Sequence, residues 1–120
     1  MIQDNGTRMT YPGGGNREAR EGKGREDLIE PELIFRLGAW YELGAKKYGD
    51  RNWEKGISVK DCVAAIIRHI FKYMAGWKDE DHLAAIAWNV AAIMRMEKYP
   101  CYRQFLDIPR YQKEEIENGN

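Results

Sequence analysis

The stretch SVKDCVAAIIRHIFKYMAG, residues 58–76, decides the fold class. Val59, Val63, Ile66, Ile67, Ile70 and Met74 recur at steps of mostly three and four, the spacing that lines one side of an α-helix. Ser58 supplies an N-cap oxygen, and Asp61 three residues on makes a near relative of the capping box. Gly76 offers the left-handed backbone at which helices stop. A helix over 58–75 follows. Within it His69 borders the apolar stripe, after Cys62 and Ile66 and before Tyr73, while Arg68 shares a wetter side with Asp61, Ala65 and Lys72. A histidine on such a border is either a hydrogen-bonded structural residue or a ligand.

Upstream, Pro31 suits a first helical turn because it lacks an amide hydrogen, and Glu32 favours the positive end of the helix dipole. The predicted helix runs over 31–47, with Leu33, Ile34, Leu37, Trp40 and Tyr41 facing a core. Glu42 points elsewhere, walled by Gly38, Ala39, Ala45 and Lys46. Residues 48–57 form a connector holding Gly49, Asp50, Arg51, Asn52, Trp53 and Gly56. Trp53 there is either a plug for the bundle end or a face for a nucleobase. Downstream, a helix over 80–98 starts in the cluster Asp79, Glu80, Asp81 and stops at Tyr99 and Pro100. Its buried line reads as Leu83, Ala87, Val90 and Met94, with alanines keeping the surface flat. His82 and Asn89, two turns apart, form a structural pair or one wall of a site. A short fourth helix is expected after Pro109.

Residues 1–25 are polar and glycine-rich and read as a flexible arm, in which Lys23 and Arg25 are the side chains able to strap a ligand; residues 26–120 form one all-α domain. A chain of 120 residues has room for a single core. Three helices make that core thin, so a homodimer or higher oligomer completing the bundle is expected. The 19 basic and 19 acidic residues cancel, which argues against nucleic acid or an anionic membrane as partner. No apolar run reaches the ~20 residues of a membrane span, so the expected location is the cytoplasm, that of the host if the chain is phage-encoded. Cys62 and Cys101 read as free thiols.

No phosphate loop, dinucleotide fingerprint or His-Glu-x-x-His pattern is present. Helix-borne carboxylates remain: Glu42 facing Glu80 and Asp81 across a bundle would offer the hard oxygen ligands that Mg²⁺ prefers. Lys46, Lys47, Arg51 and Arg68 suit phosphate oxygens, and Tyr48 or Trp53 offers a stacking face.

The runs LGAWYELGAKKYGDRNWEKG (37–56), RHIFKYMAG (68–76) and DEDHLAAIAWN (79–89), with the lead-in GKGREDL (22–28), resemble the phage and bacterial dATP/dGTP diphosphohydrolase N-terminal domain family, which is similar to MazG-like all-α nucleoside triphosphate pyrophosphatases. The resemblance implies a MazG-like helical bundle, usually oligomeric, hydrolysing dGTP or dATP to the monophosphate and pyrophosphate with Mg²⁺, or Mn²⁺ in its place. It implies functional roles for Lys47, Tyr48, Asn52, Trp53, Arg68, His69, Glu80, Asp81, His82 and Asn89, with Glu42, Glu80 and Asp81 as metal ligands and Glu42, His69, Glu80, Asp81 and His82 as the catalytic set. The paired acidic motifs usual in the MazG-like branch are absent: Glu42 has no acidic partner at the required spacing, and Leu83 and Ala84 follow Glu80 at the third and fourth positions. The alternative is therefore a non-catalytic helical phage accessory or nucleotide-binding protein.

Overall fold

The computed structural model describes residues 8–112; the start of the expected arm and the charged stretch from Lys113 to Asn120 lie outside the described residues. The chain divides between Glu30 and Pro31 into two compact units. In the first, strands β1 (Arg8–Thr10) and β2 (Asn16–Glu18) pair antiparallel, with Met9 opposite Arg17. The all-α expectation has no place for this hairpin. The glycines that argued against packing supply its turn: Gly14 takes φ 89°, and the Tyr11 amide donates to the Gly15 carbonyl at 2.7 Å. Lys23 pairs with Glu18 at 3.3 Å, and Arg25 forks onto Asp27.

The second unit is helical: α1 (Pro31–Tyr48), α2 (Val59–Met74) and α3 (His82–Lys98), joined by 3₁₀ turns at Asn52–Lys55 and followed by another at Pro100–Phe105. Residues 109–112 are helical, as expected after Pro109. The Ser58 cap accepts from the Asp61 amide at 3.2 Å. Its hydroxyl also donates to Asp107 at 2.5 Å, and the other Asp107 oxygen accepts from the Lys60 amide at 2.8 Å. A carboxylate from the far end of the chain thus completes the start of α2. Helix α3 opens at His82, later than predicted, because Asp81 is its N-cap and accepts from the Ala84 amide at 3.1 Å. Glu80 and Asp81 therefore precede the helix instead of forming its first turn.

Val59, Met96 and Tyr102 make the innermost cluster, with Val63, Ile93, Phe105 and Leu106 against it. Val59 and Met96 are wholly buried, worth roughly 1.5–3 kcal/mol each. The Tyr102 hydroxyl ties this cluster to the connector by donating to the Glu54 carbonyl at 2.5 Å. Gly56 is required where the connector meets it: φ is 120°, and a Cβ would overlap the Phe105 ring.

The facing of α3 corrects the expected buried line. The buried residues include His82, Ala85, Asn89, Ala92 and Met96, at alternating steps of three and four, whereas Leu83, Val90 and Met94 are exposed. Apart from Met96, small and polar residues make the buried line, and Leu83, Val90 and Met94 face outward. In α1 the expected stripe is shallower than predicted: no residue of the helix is buried, and Leu33 and Ile34 are exposed. No described helix is long and apolar enough to cross a membrane.

Candidate metal centre and adjoining cleft

The reversal between α2 and α3 builds the centre. At the end of α2 the Gly76 amide donates to the Tyr73 carbonyl at 3.1 Å and the Trp77 amide to the Lys72 carbonyl at 3.0 Å, with Gly76 at φ 87°. This is the Schellman pattern, which needs a left-handed residue at that position. The chain turns back within a few residues, so that His82, opening α3, lies beside His69, one turn before the end of α2. Their Nδ1 atoms are 2.9 Å apart, and both rings are buried. Glu80, on the turn, brings Oε1 to 3.7 Å from His69 Nδ1 and 3.9 Å from His82 Nδ1. These three side chains form a group able to hold a metal ion.

Carboxylates on either side of Glu80 fix the arrangement. His82 Nε2 lies 2.8 Å from Asp79 Oδ1; the hydrogen bond from His82 holds the Asp79 carboxyl below its ordinary range, so Asp79 accepts and Nε2 carries the proton. The Nδ1 of His82 then faces the Nδ1 of His69 at hydrogen-bond distance. Burial pushes the His69 pKa down; Glu80 opposes this, while His82, Arg68 and Lys72 add to it. Neutral imidazole, the form that ligates metals, is favoured. Asp81 has both oxygens on Arg36, at 2.7 and 2.8 Å, and that guanidinium holds its carboxyl below the ordinary range. The fork fastens α1 to the start of α3.

Glu80 also lines a cleft of about 420 Å³. Trp40, Leu43, Gly44 and Lys47 of α1 form one wall, Asn52, Trp53 and Ile57 of the connector another, and Trp88 and Asn89 of α3 a third, with Tyr48 at the rim. Trp53, Trp88 and Tyr41 meet edge to face or tilted at 6.2 to 6.4 Å, and the Arg95 guanidinium lies 5.4 Å from the Trp53 ring centre. Trp53 packs in an aromatic cluster and also lines the cleft. Trp40 stands edge-on to His69 at 6.2 Å, tying the aromatic wall to the histidine pair. Asn89 Nδ2 donates to the Ala85 carbonyl at 2.8 Å, so His82 and Asn89 are not a bonded pair.

Of the expected site residues of the second unit, Glu42, Lys46, Arg51, Arg68 and Asp81 belong neither to the histidine–carboxylate group nor to the cleft lining. Glu42 is exposed and pairs with Lys46 at 3.5 Å; it sits about 150° around α1 from the face formed by Trp40, Leu43, Gly44 and Lys47. The structure does not bring it to Glu80. Asp81 is occupied by Arg36 and the Ala84 amide, as above. Arg51, at φ 57°, pairs with Glu54 at 2.6 Å. Arg68 is exposed on α2 beside His69. Lys23 and Arg25 belong to the first unit. Sequence reasoning missed Asp79, Arg36, Trp40 and Trp88 as site-building residues. The three-residue step from Asp79 to His82 was available as a signal; nothing local announces an Arg36–Asp81 pair 45 positions apart.

No curated protein and no solved structure matches the chain. A family model described as dATP/dGTP diphosphohydrolase, N-terminal, matches residues 13–104, which include every residue of the histidine–carboxylate group and of the cleft. The chain belongs to that MazG-like family.

Proposed function

We propose that the protein hydrolyses a deoxypurine nucleoside triphosphate, dGTP or dATP, to the monophosphate and pyrophosphate. The observation that carries this reading is the double position of Glu80, which belongs both to the His69–Glu80–His82 group and to the wall of the aromatic cleft. A base stacked in the cleft would have its phosphates at the carboxylate–imidazole end. Water adds to the α-phosphorus, the bond from that phosphorus to the α,β-bridging oxygen breaks, and pyrophosphate leaves.

Two imidazole nitrogens and one carboxylate oxygen are a donor set that suits a divalent ion. Bound there, such an ion would supply Lewis-acid polarisation of a phosphate and neutralise developing charge. Mg²⁺, for which Mn²⁺ can substitute, enters as the counter-ion of the triphosphate. The chain's own residues do the rest. Lys47 at the cleft wall neutralises phosphate oxygens. Trp53, Trp88 and Tyr48 give the purine apolar and stacking surface, and the amides of Asn52 and Asn89 meet its polar edge. Asp79 keeps the proton on Nε2 of His82 and thereby its lone pair on Nδ1. Arg36 holds Asp81, and through it the start of α3, in register with α1. A second copy of the chain, covering the exposed apolar residues of α1 and α3, completes the bundle.

Pyrophosphate release from dGTP and dATP, followed across a divalent-ion titration, tests the reading. Release above background by the wild type is expected. Tight nucleotide binding without release would instead identify a nucleotide-binding module.

A further inference from the structure

We propose that the ion held by His69, Glu80 and His82 is a borderline transition-series cation of the Mn²⁺, Co²⁺ or Zn²⁺ kind, and that this group does not hold Mg²⁺. This deepens the metal reading above by assigning the protein-bound ion a different chemical class from the one that accompanies the triphosphate.

Donor type is the first ground. Mg²⁺ requires near-octahedral oxygen ligation and dehydrates reluctantly, whereas imidazole nitrogen suits the later first-row ions. Two of the three donors here are imidazoles, and the carboxylates that would make an oxygen site are engaged elsewhere or turned away. Asp81 has both oxygens on Arg36, Asp79 is on His82 Nε2, and Glu42 pairs with Lys46 in solvent.

Geometry is the second. Two nitrogens each about 2.1 Å from one ion are about 3.0 Å apart when at right angles and about 3.4 Å apart in a tetrahedron. The Nδ1 atoms of His69 and His82 are already 2.9 Å apart. That separation needs little change for both nitrogens to reach one cation. Glu80 Oε1, at 3.7 and 3.9 Å from those nitrogens, is on the open side of the pair, on a side chain 39% exposed and able to close in.

Support from outside the ligand set is the third. Metal-ligating histidines characteristically donate their other ring N–H to a carboxylate, which fixes the tautomer and raises the basicity of the ligating nitrogen. The 2.8 Å contact of His82 Nε2 with Asp79 is this arrangement. Asp79 alone would satisfy a buried structural imidazole; the approach of Glu80 Oε1 to both Nδ1 atoms is what a structural pair does not require.

The test is binding of Co²⁺ alone to the metal-stripped full chain, read by the visible d–d absorption of bound Co²⁺ and by calorimetry, with Mg²⁺ as competitor. One Co²⁺ per chain is expected, retained against a hundredfold excess of Mg²⁺. Glu80→Gln, which leaves the buried imidazoles in place, should weaken Co²⁺ binding and alter the spectrum. Asp79→Asn should weaken it by roughly 10- to 100-fold. His82→Gln should abolish the nitrogen-ligand spectrum, with circular dichroism reporting whether the helices persist. Failure of Co²⁺ to bind, equal displacement by Mg²⁺, or binding unchanged in both Glu80→Gln and Asp79→Asn would overturn the assignment. Pyrophosphate release separates this from the hydrolase reading: a Co²⁺ site in a protein that cleaves no purine triphosphate would overturn the reaction alone, and full activity with Mg²⁺ in a chain that binds no Co²⁺ would overturn the site alone.

Discussion

Helices α1 and α3 contain similar numbers of residues but are used in opposite ways. Six residues of α3 are buried, among them both His82 and Asn89. None of α1 is, and Phe35, Leu43 and Ile34 are 70%, 57% and 53% exposed. Single exposed apolar residues are ordinary; several along one helix mark a surface that meets something. The difference teaches that the chain spends its well-packed layer, α2 against α3, on holding two imidazoles at 2.9 Å, and leaves α1 to carry cleft residues on one side and exposed apolar residues elsewhere.

The comparison breaks most visibly in the packed layer. Met96→Ala removes a wholly buried side chain of the innermost cluster, and a loss of about 2–5 kcal/mol is expected in urea unfolding. Leu43→Ala, on the exposed helix, should cost a dilute single chain far less. Equal losses would mean that α1 is as well packed as α3.

Phe35→Asp sharpens the other half. In one chain this residue is mostly solvated, so the helical signal should survive. If a second copy covers α1, a charge at that position weakens association by about 2 kcal/mol or more. Light scattering should then show the assembly dissociating at micromolar concentration. A wild type already monomeric there would remove the second copy from the account.

The same contrast explains what was legible in the sequence. Helix ends are set by local chemistry, so Pro31, Ser58, Gly76 and Pro100 placed α1 and α2 to within a residue or so, and α3 to within two. Facing is set by what a helix packs against. In α3 the buried line runs through His82, Ala85, Asn89, Ala92 and Met96, which is less apolar than the line through Leu83, Val90 and Met94, so hydropathy selected the outer one. Glu42 looked accessible because its helical neighbours are small. Low walls do not set direction, and its face of α1 is turned from the cleft. The histidine pair depends on the tight reversal after Gly76, and the Arg36–Asp81 fork on tertiary packing. Neither has a periodic signature.

Trp53→Ala probes the seam between the two regions. The ring packs on Tyr41 and Trp88 and lines the cleft, so both folding and binding should respond. Loss of a stacking partner predicts roughly a tenfold weaker affinity for dGTP, within the 1–3 kcal/mol of a base–aromatic contact. Measuring affinity only on the folded fraction separates the effects. Unchanged affinity would make Trp53 packing alone.

The smallest effect expected lies at the start of α2, where Asp107 reaches back to Ser58 and Lys60. Burial raises the Asp107 carboxyl, but the Ser58 hydroxyl and the Lys60 amide outweigh it and hold the group below its ordinary range. A carboxyl whose folded pKa lies below its unfolded value stabilises the fold above the unfolded value, about 4, and loses that contribution as pH falls through the folded one. The bonds resemble an N-cap, worth about 1 kcal/mol, and solvent at this surface position trims that figure. Asp107→Asn keeps the shape and removes the charge. The variant should therefore be less stable than wild type by up to about 1 kcal/mol at pH 7 and pH 5, and the gap should close toward pH 3. Paired urea unfolding curves at pH 7, 5, 4 and 3 measure it. A gap that stays constant to pH 3 would show that the carboxylate charge contributes nothing at the start of α2, and no gap at any pH would leave Ser58 alone as the cap.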